Sequence, residues 1–445
     1  MAVLNTNKYI LLLFILAVAN VLLYWPGNLY FLNDDFVHIP LTSEGVLFQQ
    51  RSIRPIHELL VRFDLWLWHK NAFGFHLTAL ILHGIVTTQL FYLTKAIVVK
   101  YFNSNTVQAT NTGLLACCLF LLYPQQAESL AWILGRTPTL AAIFFMGLMQ
   151  LFVNGKSGFK TNGIAIILFL LTLFTYEQSI LFPLVFALVA IVQKNTVVKK
   201  QQLYFAISTA LAAVFYIVAR KLITTEVVGA YEGGNFTFAH IQTLLANTLR
   251  ILLRLILNPS TIKIFYISTA CFTIIVCALA WKFKTHFKSN YFWLFVFCTA
   301  ILIAPVISLG VTIRSFESGR YLYFPSIFLV IALTIFVQQQ NVLTAKTINV
   351  AIICLLVYWG FGKYQSANHF VNASAYSKKV HTQIQAHFTQ TPNDTLQIDT
   401  LQLTIHRLPV FRMGFKAGVH WLNPAIDTSK IKVTYYYDEF IQGDK

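Results

Sequence analysis

The ionisable residues of this chain stand in short clusters beside long apolar runs. Four clusters contain acids or arginines: FLNDDFVHIP (31–40), YPQQAESLAWILGRTP (123–138), TYEQS (175–179) and RSFESGRYLYFPS (314–326). Charged groups at membrane depth are costly, so they usually pair with one another or serve a function. Arginine binds phosphate or carboxylate through two parallel hydrogen bonds, and a partly desolvated carboxylate can take a proton from a hydroxyl. The clusters predict one polar site; for any single pair, a structural salt bridge is the alternative.

The candidate residues come from these clusters and from the loop that contains the first of them. Asp34 and Asp35 are the candidate catalytic acids. Their loop, 29–73, continues into QQRSIRPIHELLVRFDLWLWH, whose apolar residues recur at helical spacing and predict an amphipathic helix on the membrane surface. The candidate substrate-binding residues are Arg51, Arg54, Glu128, Arg136, Glu177, Arg320 and Tyr323.

Two of the clusters also predict how their side chains are arranged. Glu128, Trp132 and Arg136 are spaced i, i+4, i+8, which predicts that one helix face presents them together. Glu177 lies between two apolar runs with almost no loop, so little water is left to solvate its carboxylate. We therefore expect Glu177 to pair with an arginine inside the bundle.

The elements that must position these residues are membrane helices. The chain has 445 residues, 57% hydrophobic and 11% charged, whereas soluble domains carry roughly a quarter charged residues. An apolar run of about 20 residues can cross the hydrocarbon core. The stretch 240–258 contains Arg250 and Arg254 one turn apart and predicts a surface helix instead. The predicted spans are 9–28, 74–96, 111–124, 137–153, 163–176, 178–193, 203–220, 262–281, 291–311, 321–338 and 346–362.

Lysine and arginine segregate to opposite sides of this topology. With the N-terminus in the cytoplasm, the inner segments contain lysine but no acid and no arginine, and all 16 acids fall on the other side or at its membrane edge. The inner lysines follow the positive-inside rule, so the polar site is predicted on the extracytoplasmic face. The net charge of +17 forms no basic stripe on a soluble domain, which argues against nucleic-acid binding. The 6 cysteines fall in apolar runs without metal-ligand spacing, so neither a disulfide framework nor a zinc site is expected.

The apolar runs stop near residue 363, which predicts two parts. Residues 1–362 form an all-α polytopic membrane bundle, and residues 363–445 form a small C-terminal α/β or β-rich extracytoplasmic domain. Within the second part, 366–390 predicts a polar amphipathic helix, and 395–405 and 430–440 alternate as strands do. This domain is either a cap that binds the acceptor or a stabilising appendage.

The clustered motifs resemble those of a known family when they are taken together and in order. They resemble the GT-C superfamily of membrane glycosyltransferases over about residues 25–340, and most closely the transmembrane O-mannosyltransferases with tetratricopeptide repeats. No 34-residue period follows residue 363, and Gly319 stands where that family commonly has Glu before Arg-Tyr. The motifs are NDD (33–35), PxxxE (124–128) followed by GR (135–136), the glutamate of YEQ (176–178), and RYLYxPS (320–326).

The resemblance implies a GT-C-like fold and transfer of a sugar, in that family mannose, from a polyprenyl-phosphate donor to an acceptor hydroxyl. It implies single displacement with inversion, with Asp34 as general base and Asp35 as the neighbour that positions the acceptor or tunes the pKa. By their charge, Arg136 and Arg320 suit the leaving phosphate, with Arg51 or Arg54 as the next candidates. The alternative for Asp34 is the N-cap of a following helix.

Several properties are left open by the sequence. These are the sugar, the polyprenol, the acceptor (lipid, glycan or protein) and a divalent cation, which Glu128 could hold with His38, His57 or His83. A bacterial cytoplasmic membrane is the expected location, with membrane lipid around the bundle. The alternative functions are a transporter or flippase of lipid-linked anionic molecules, for which a repeated half is expected and not found, and a structural protein of the envelope, which would not need the Asp pair.

Overall fold

A computed structural model describes residues 6–45, 53–102, 104–155, 158–192, 195–224, 238–282, 290–338 and 342–436. The chain is mostly helical in these ranges, with four short strands near its end. The helices are α1 (Thr6–Leu23), α2 (Asp35–Ser43), α3 (Pro55–Trp68), α4 (Ala72–Phe102), α5 (Thr106–Leu122), α6 (Ala127–Ala131), α7 (Thr137–Asn154), α8 (Phe159–Leu173), α9 (Pro183–Val192), α10 (Thr196–Thr224), α11 (Phe238–Arg254), α12 (Ile262–Lys282), α13 (Asn290–Ile303), α14 (Tyr323–Gln338), α15 (Val342–Gln390) and α16 (Phe415–Leu422). The strands are β1 (Leu396–Gln402), β2 (Thr404–Ile405), β3 (Leu408–Pro409) and β4 (Ile431–Tyr436).

The helices form a membrane bundle. Within the described residues, 5 helices are long and apolar enough to cross a membrane, or 6 if α5 and the bent segment after it count as one span. Each of the eleven predicted spans overlaps a helix, but α8, α9, α12 and α13 contribute only shorter apolar stretches. The membrane bundle is thus confirmed, while the number of eleven spans stays a prediction.

Helix α3 is the amphipathic helix expected in the first loop, and it has one apolar face and one polar face. Leu59, Phe63 and Trp66 are exposed on one face. Glu58 and Asp64 are buried on the other. Because the apolar face can lie in lipid only if the polar face turns towards protein, α3 turns its polar face towards the protein interior.

The C-terminal segment is a small α/β unit, which is one of the two fold classes, α/β or β-rich, that the sequence predicts for it. Strands β1 and β4 pair in parallel, and β2 and β3 pair antiparallel. The predicted polar helix 366–390 is not a separate element, because α15 runs without a break from the span into the segment.

A large apolar core fills the membrane bundle. A second core joins the first loop, the 127–134 region and the C-terminal segment. The C-terminal segment is therefore packed onto the loops that hold the candidate acids.

Candidate functional site

The two adjacent aspartates lie at the start of α2 in different environments. Asn33 precedes them with a positive φ of 46°, and Asp34 occupies the N-cap position of α2 without making a side-chain capping bond. Asp34 is partly exposed, whereas Asp35 is fully buried. The Asn33 side-chain amide donates a hydrogen bond to Asp34 Oδ1. Only the first acid of the pair is therefore open to a substrate, and the capping alternative finds no hydrogen bond to support it.

Asp35 ties the first loop to the second. The Leu32 N–H donates to Asp35 Oδ2 at 3.0 Å, and the Leu134 N–H donates to Asp35 Oδ1 at 3.1 Å. Burial raises the pKa of Asp35 to about 8, although these two hydrogen bonds act in the opposite direction. Both Asp35 oxygens thus accept hydrogen bonds from backbone N–H groups. These bonds fix the position of the adjacent Asp34 relative to the 127–136 region.

Replacing Asp35 by asparagine is expected to destabilise the protein at pH 5 by about 1–3 kcal/mol, because the new NH₂ group leaves one buried N–H without an acceptor. The native state keeps the Asp35 proton up to a pKa of about 8, and the unfolded chain releases it near the ordinary value of 3.8. The contribution of Asp35 to stability therefore falls as the pH rises from 4 to 8. Asp35→Asn should remove this slope.

Thermal unfolding in detergent at pH 5 and pH 8 tests this expectation. The exposed Asp399 of β1 gives the matched control, since Asp399→Asn removes one carboxylate outside the buried core. A melting temperature of Asp35→Asn equal to that of the parent at both pH values would contradict the assigned role.

Glu128 and Arg320 form the contact between the second and fourth clusters. An Arg320 guanidinium nitrogen lies 3.4 Å from Glu128 Oε1. The backbone N–H of Arg320 donates to Glu128 Oε2 at 2.9 Å. The guanidinium also lies 4.8 Å over the Trp132 ring. A Cβ on Gly319 would approach the Gln125 carbonyl oxygen to 2.7 Å, so glycine permits this close contact. Together with the hydrogen bond from Leu134 N–H to Asp35, the contact between Glu128 and Arg320 links the first, second and fourth clusters.

Arg136 lies elsewhere, and its predicted common face with Glu128 and Trp132 is wrong. Helix α6 ends at Ala131 and a 3₁₀ turn follows, so the chain changes direction before Arg136. Arg136 is fully buried, forms an ion pair with Asp64, and donates to the Phe75 carbonyl oxygen at 3.0 Å. This geometry favours a structural role for Arg136.

Glu177 lies between two arginines, as expected for a carboxylate with little water around it. Arg54 donates to both Glu177 oxygens, at 3.2 and 3.4 Å, and a guanidinium nitrogen of Arg220 lies 3.6 Å from Oε1. Arg54 also lies 5.1 Å over the Tyr176 ring. Glu177 thus forms ion pairs with two adjacent guanidinium groups.

These arginines line a cavity of about 350 Å³. Arg54, Arg220 and Arg320 contribute three positive charges to its wall, and Glu177 contributes one negative charge. Much of the remaining wall is apolar and comes from 180–181, 304–306 and Leu309. A cavity that combines guanidinium groups with an apolar side can hold a phosphate attached to a hydrocarbon chain.

Tyr323 lies outside this cavity. Tyr323 is fully buried, and its hydroxyl lies 2.9 Å from His83 Nδ1 in the bundle core. Arg51 falls outside the residues that the structure describes. The described part of the chain contains no group of three His, Cys, Asp or Glu residues that could hold a metal ion. Whether a divalent cation binds is therefore as open as it is from the sequence alone.

Sequence reasoning missed two residues of this arrangement. Arg220 ends a predicted span, and an arginine within an apolar run is itself a signal of function or pairing. Asp64 lies on the polar face of α3, where a carboxylate turned away from lipid requires a cationic partner. Both signals were present in the sequence.

Comparison with known proteins gives partial matches. No protein-family model matches the chain. It is 34% identical over 98 residues to protein O-mannosyl-transferase TMTC1 of Mus musculus, covering 22% of this chain and 9% of that protein. Human TMTC1 is 33% identical to this chain over 98 residues, covering 22% of this chain and 10% of that protein. Human protein O-mannosyl-transferase TMTC3 is 26% identical to this chain over 123 residues, covering 28% of this chain and 12% of that protein. The chain thus matches only about a tenth of the length of these curated relatives.

Among solved structures, the crystal structure of ArnT from Cupriavidus metallidurans bound to undecaprenyl phosphate aligns over 94% of this chain and 89% of that chain. The TM-score is 0.46 and the sequence identity is 12%. The distant similarity to TMTC O-mannosyltransferases over part of the chain is the resemblance that the motifs predict, and it is confirmed.

Proposed function

We propose that this chain is a membrane glycosyltransferase that moves a sugar from a polyprenyl-phosphate donor to an acceptor hydroxyl. The observation that carries the proposal is the cavity whose wall holds Arg54, Arg220 and Arg320 beside apolar side chains. The hydrogen bond from Leu134 N–H to Asp35 fixes the loop of the partly exposed Asp34 against the second cluster, and Glu128 of that cluster contacts Arg320. The second cluster thus joins the loop of the candidate base to the candidate phosphate site. The partial similarity to O-mannosyltransferases supports mannose as the sugar.

In the proposed reaction, the phosphate of the donor binds in the arginine-lined cavity and its polyprenyl chain follows the apolar wall into the membrane. The Asp34 carboxylate takes the proton of the acceptor hydroxyl as the acceptor oxygen forms a bond to the anomeric carbon. The bond from that carbon to the phosphate oxygen breaks, and its electron pair leaves with polyprenyl phosphate. The arginines stabilise the charge that grows on the phosphate. Attack opposite the leaving group inverts the anomeric centre.

The roles of the other candidates follow from their contacts. Glu128 holds Arg320 at the cavity, Asp35 fixes the loop of Asp34, and Glu177 orients Arg54 and Arg220. The proposal keeps eleven spans with the cytoplasmic N-terminus and an extracytoplasmic site in a bacterial cytoplasmic membrane. This orientation rests on the lysine distribution.

Purified protein incubated with a panel of polyprenyl-phosphate sugars and an envelope extract as acceptor source tests the proposal. Release of polyprenyl phosphate with transfer of the sugar to the extract is expected. Binding of the donor without release would contradict a transferase and would favour a carrier of lipid-linked anions.

Arg54→Gln is expected to weaken binding of undecaprenyl phosphate roughly 10- to 150-fold, because one charge-assisted hydrogen bond is worth about 1.5–3 kcal/mol. Arg54 is the clearest probe since Glu177 keeps Arg220 as a partner when Arg54 is removed. Competition against a fluorescent polyprenyl phosphate measures the affinity.

The matched control for this test is Arg250→Gln, which removes an exposed arginine of α11 outside the cavity wall. Affinity should be unchanged in the control variant. Equal affinities in both variants would place the phosphate outside the cavity.

A further inference from the structure

The C-terminal segment holds the backbone of the candidate base loop at two points. The Asn33 N–H donates to the Val410 carbonyl oxygen at 2.7 Å, and the Ser377 hydroxyl donates to the Phe31 carbonyl oxygen at 2.8 Å. Asn33 has a positive φ of 46°, which costs energy for a residue other than glycine. The hydrogen bond from Asn33 to the Val410 carbonyl oxygen thus helps to hold this left-handed conformation directly before Asp34.

A stack of rings fixes the other side of the loop. Phe36, two residues after Asp34, is fully buried. Its ring centroid lies 4.8 Å from that of His381 and 5.8 Å from that of Phe411, with interplanar angles of 30° and 27°. Both partners belong to the C-terminal segment. Such a stack restrains the first turn of α2 against rotation and translation.

A glycine makes this packing possible. A Cβ at Gly418 of α16 would lie 2.6 Å from Phe36 Cγ and closer still to Cδ1. Contacts below 3.0 Å force one of the two groups to move, and Phe36 is enclosed on its other faces by the ring stack. Any larger residue at Gly418 must therefore displace Phe36 and the start of α2.

We propose that residues 363–436 are a positioning element of the catalytic site, in which Gly418 and Phe36 set the place of Asp34. The inference rests on the proposed function, and it deepens that function by giving the segment a role in the chemical step, which is neither of the two roles that the sequence left open. A cap that binds the acceptor would act on acceptor affinity. A positioning element acts on the rate of the chemical step, because small displacements of a reacting group cost up to about 10²-fold in rate.

The test uses Gly418→Ala in the full-length protein. We expect kcat for sugar transfer to fall about 10- to 100-fold, with the KM values for donor and acceptor unchanged. Deuterium exchange of the backbone amides of residues 33–37 should become faster. The control is Gly84→Ala, because a Cβ at Gly84 meets nothing within 4 Å.

The possible results distinguish a failure of this inference from a failure of the proposed function. Unchanged kcat and unchanged exchange in Gly418→Ala would overturn the inference, and so would a rise in acceptor KM at constant kcat. If the parent protein transfers no sugar, the proposed function fails, and the exchange of residues 33–37 alone decides whether the segment braces the loop. If Gly418→Ala does not fold, Phe411→Leu, which weakens the ring stack without a clash, provides the same measurements.

Discussion

Replacing Asp34 by asparagine is expected to lower sugar transfer about 10²- to 10⁴-fold, which is the usual contribution of a general base. Asparagine has nearly the same shape but cannot take the proton of the acceptor hydroxyl. Asp34 is partly exposed and makes no capping hydrogen bond to α2, so its removal should leave the protein folded and in the membrane. Release of polyprenyl phosphate from the donor measures the effect.

One further variant and one binding measurement make the Asp34→Asn result specific. Asp34→Asn should melt at the temperature of the parent protein, whereas Asp35→Asn should melt lower, because only Asp35 accepts two buried N–H groups. Binding of undecaprenyl phosphate should be unchanged in Asp34→Asn, since the arginines of the cavity are intact. Transfer at the parental rate by a folded Asp34→Asn variant would exclude this residue as the base.

Replacing Arg136 by glutamine is expected to destabilise the protein by about 3–5 kcal/mol, the usual cost of removing one partner of a buried ion pair. Arg136 and Asp64 are both 0% exposed, so the remaining carboxylate would be buried without its cation. Thermal or denaturant unfolding in detergent measures the loss.

A double replacement distinguishes the ion pair from a phosphate ligand. Arg136→Met combined with Asp64→Leu should recover much of the stability, because a buried pair can often be exchanged for apolar residues of similar volume. If Arg136 instead binds phosphate, Arg136→Gln should melt normally and lose affinity for polyprenyl phosphate. That result would reverse the assignment of this residue.

The helices and the meeting of the charged clusters follow from local sequence. Apolar runs define the bundle, and clusters that end successive spans on one side must approach one another. Glu177 is the clearest case, because a carboxylate with almost no loop around it can only be stabilised by an arginine of the bundle. The sequence also contained Arg220, whose position within an apolar run is a signal of the same kind.

The pairing of individual side chains depends on tertiary structure instead. A regular helix through 128–136 would align Glu128 with Arg136, but the chain turns after Ala131 and sends them to different partners. The parallel pairing of β1 with β4 joins segments about 30 residues apart, so the alternation of each strand does not reveal its neighbour. The packing of the C-terminal segment onto the Asp34 loop is likewise a contact between distant parts of the chain.

The central claim is that Arg54, Arg220 and Arg320 hold the phosphate of the donor while Asp34 faces the sugar. An electron cryomicroscopy structure of the Asp34→Asn variant with a non-hydrolysed polyprenyl-phosphate sugar tests this claim most directly. The account predicts phosphate oxygens within hydrogen-bonding distance of at least two of these arginines, with the anomeric carbon turned towards residue 34. A donor phosphate bound outside this cavity, or a sugar facing away from residue 34, would contradict it.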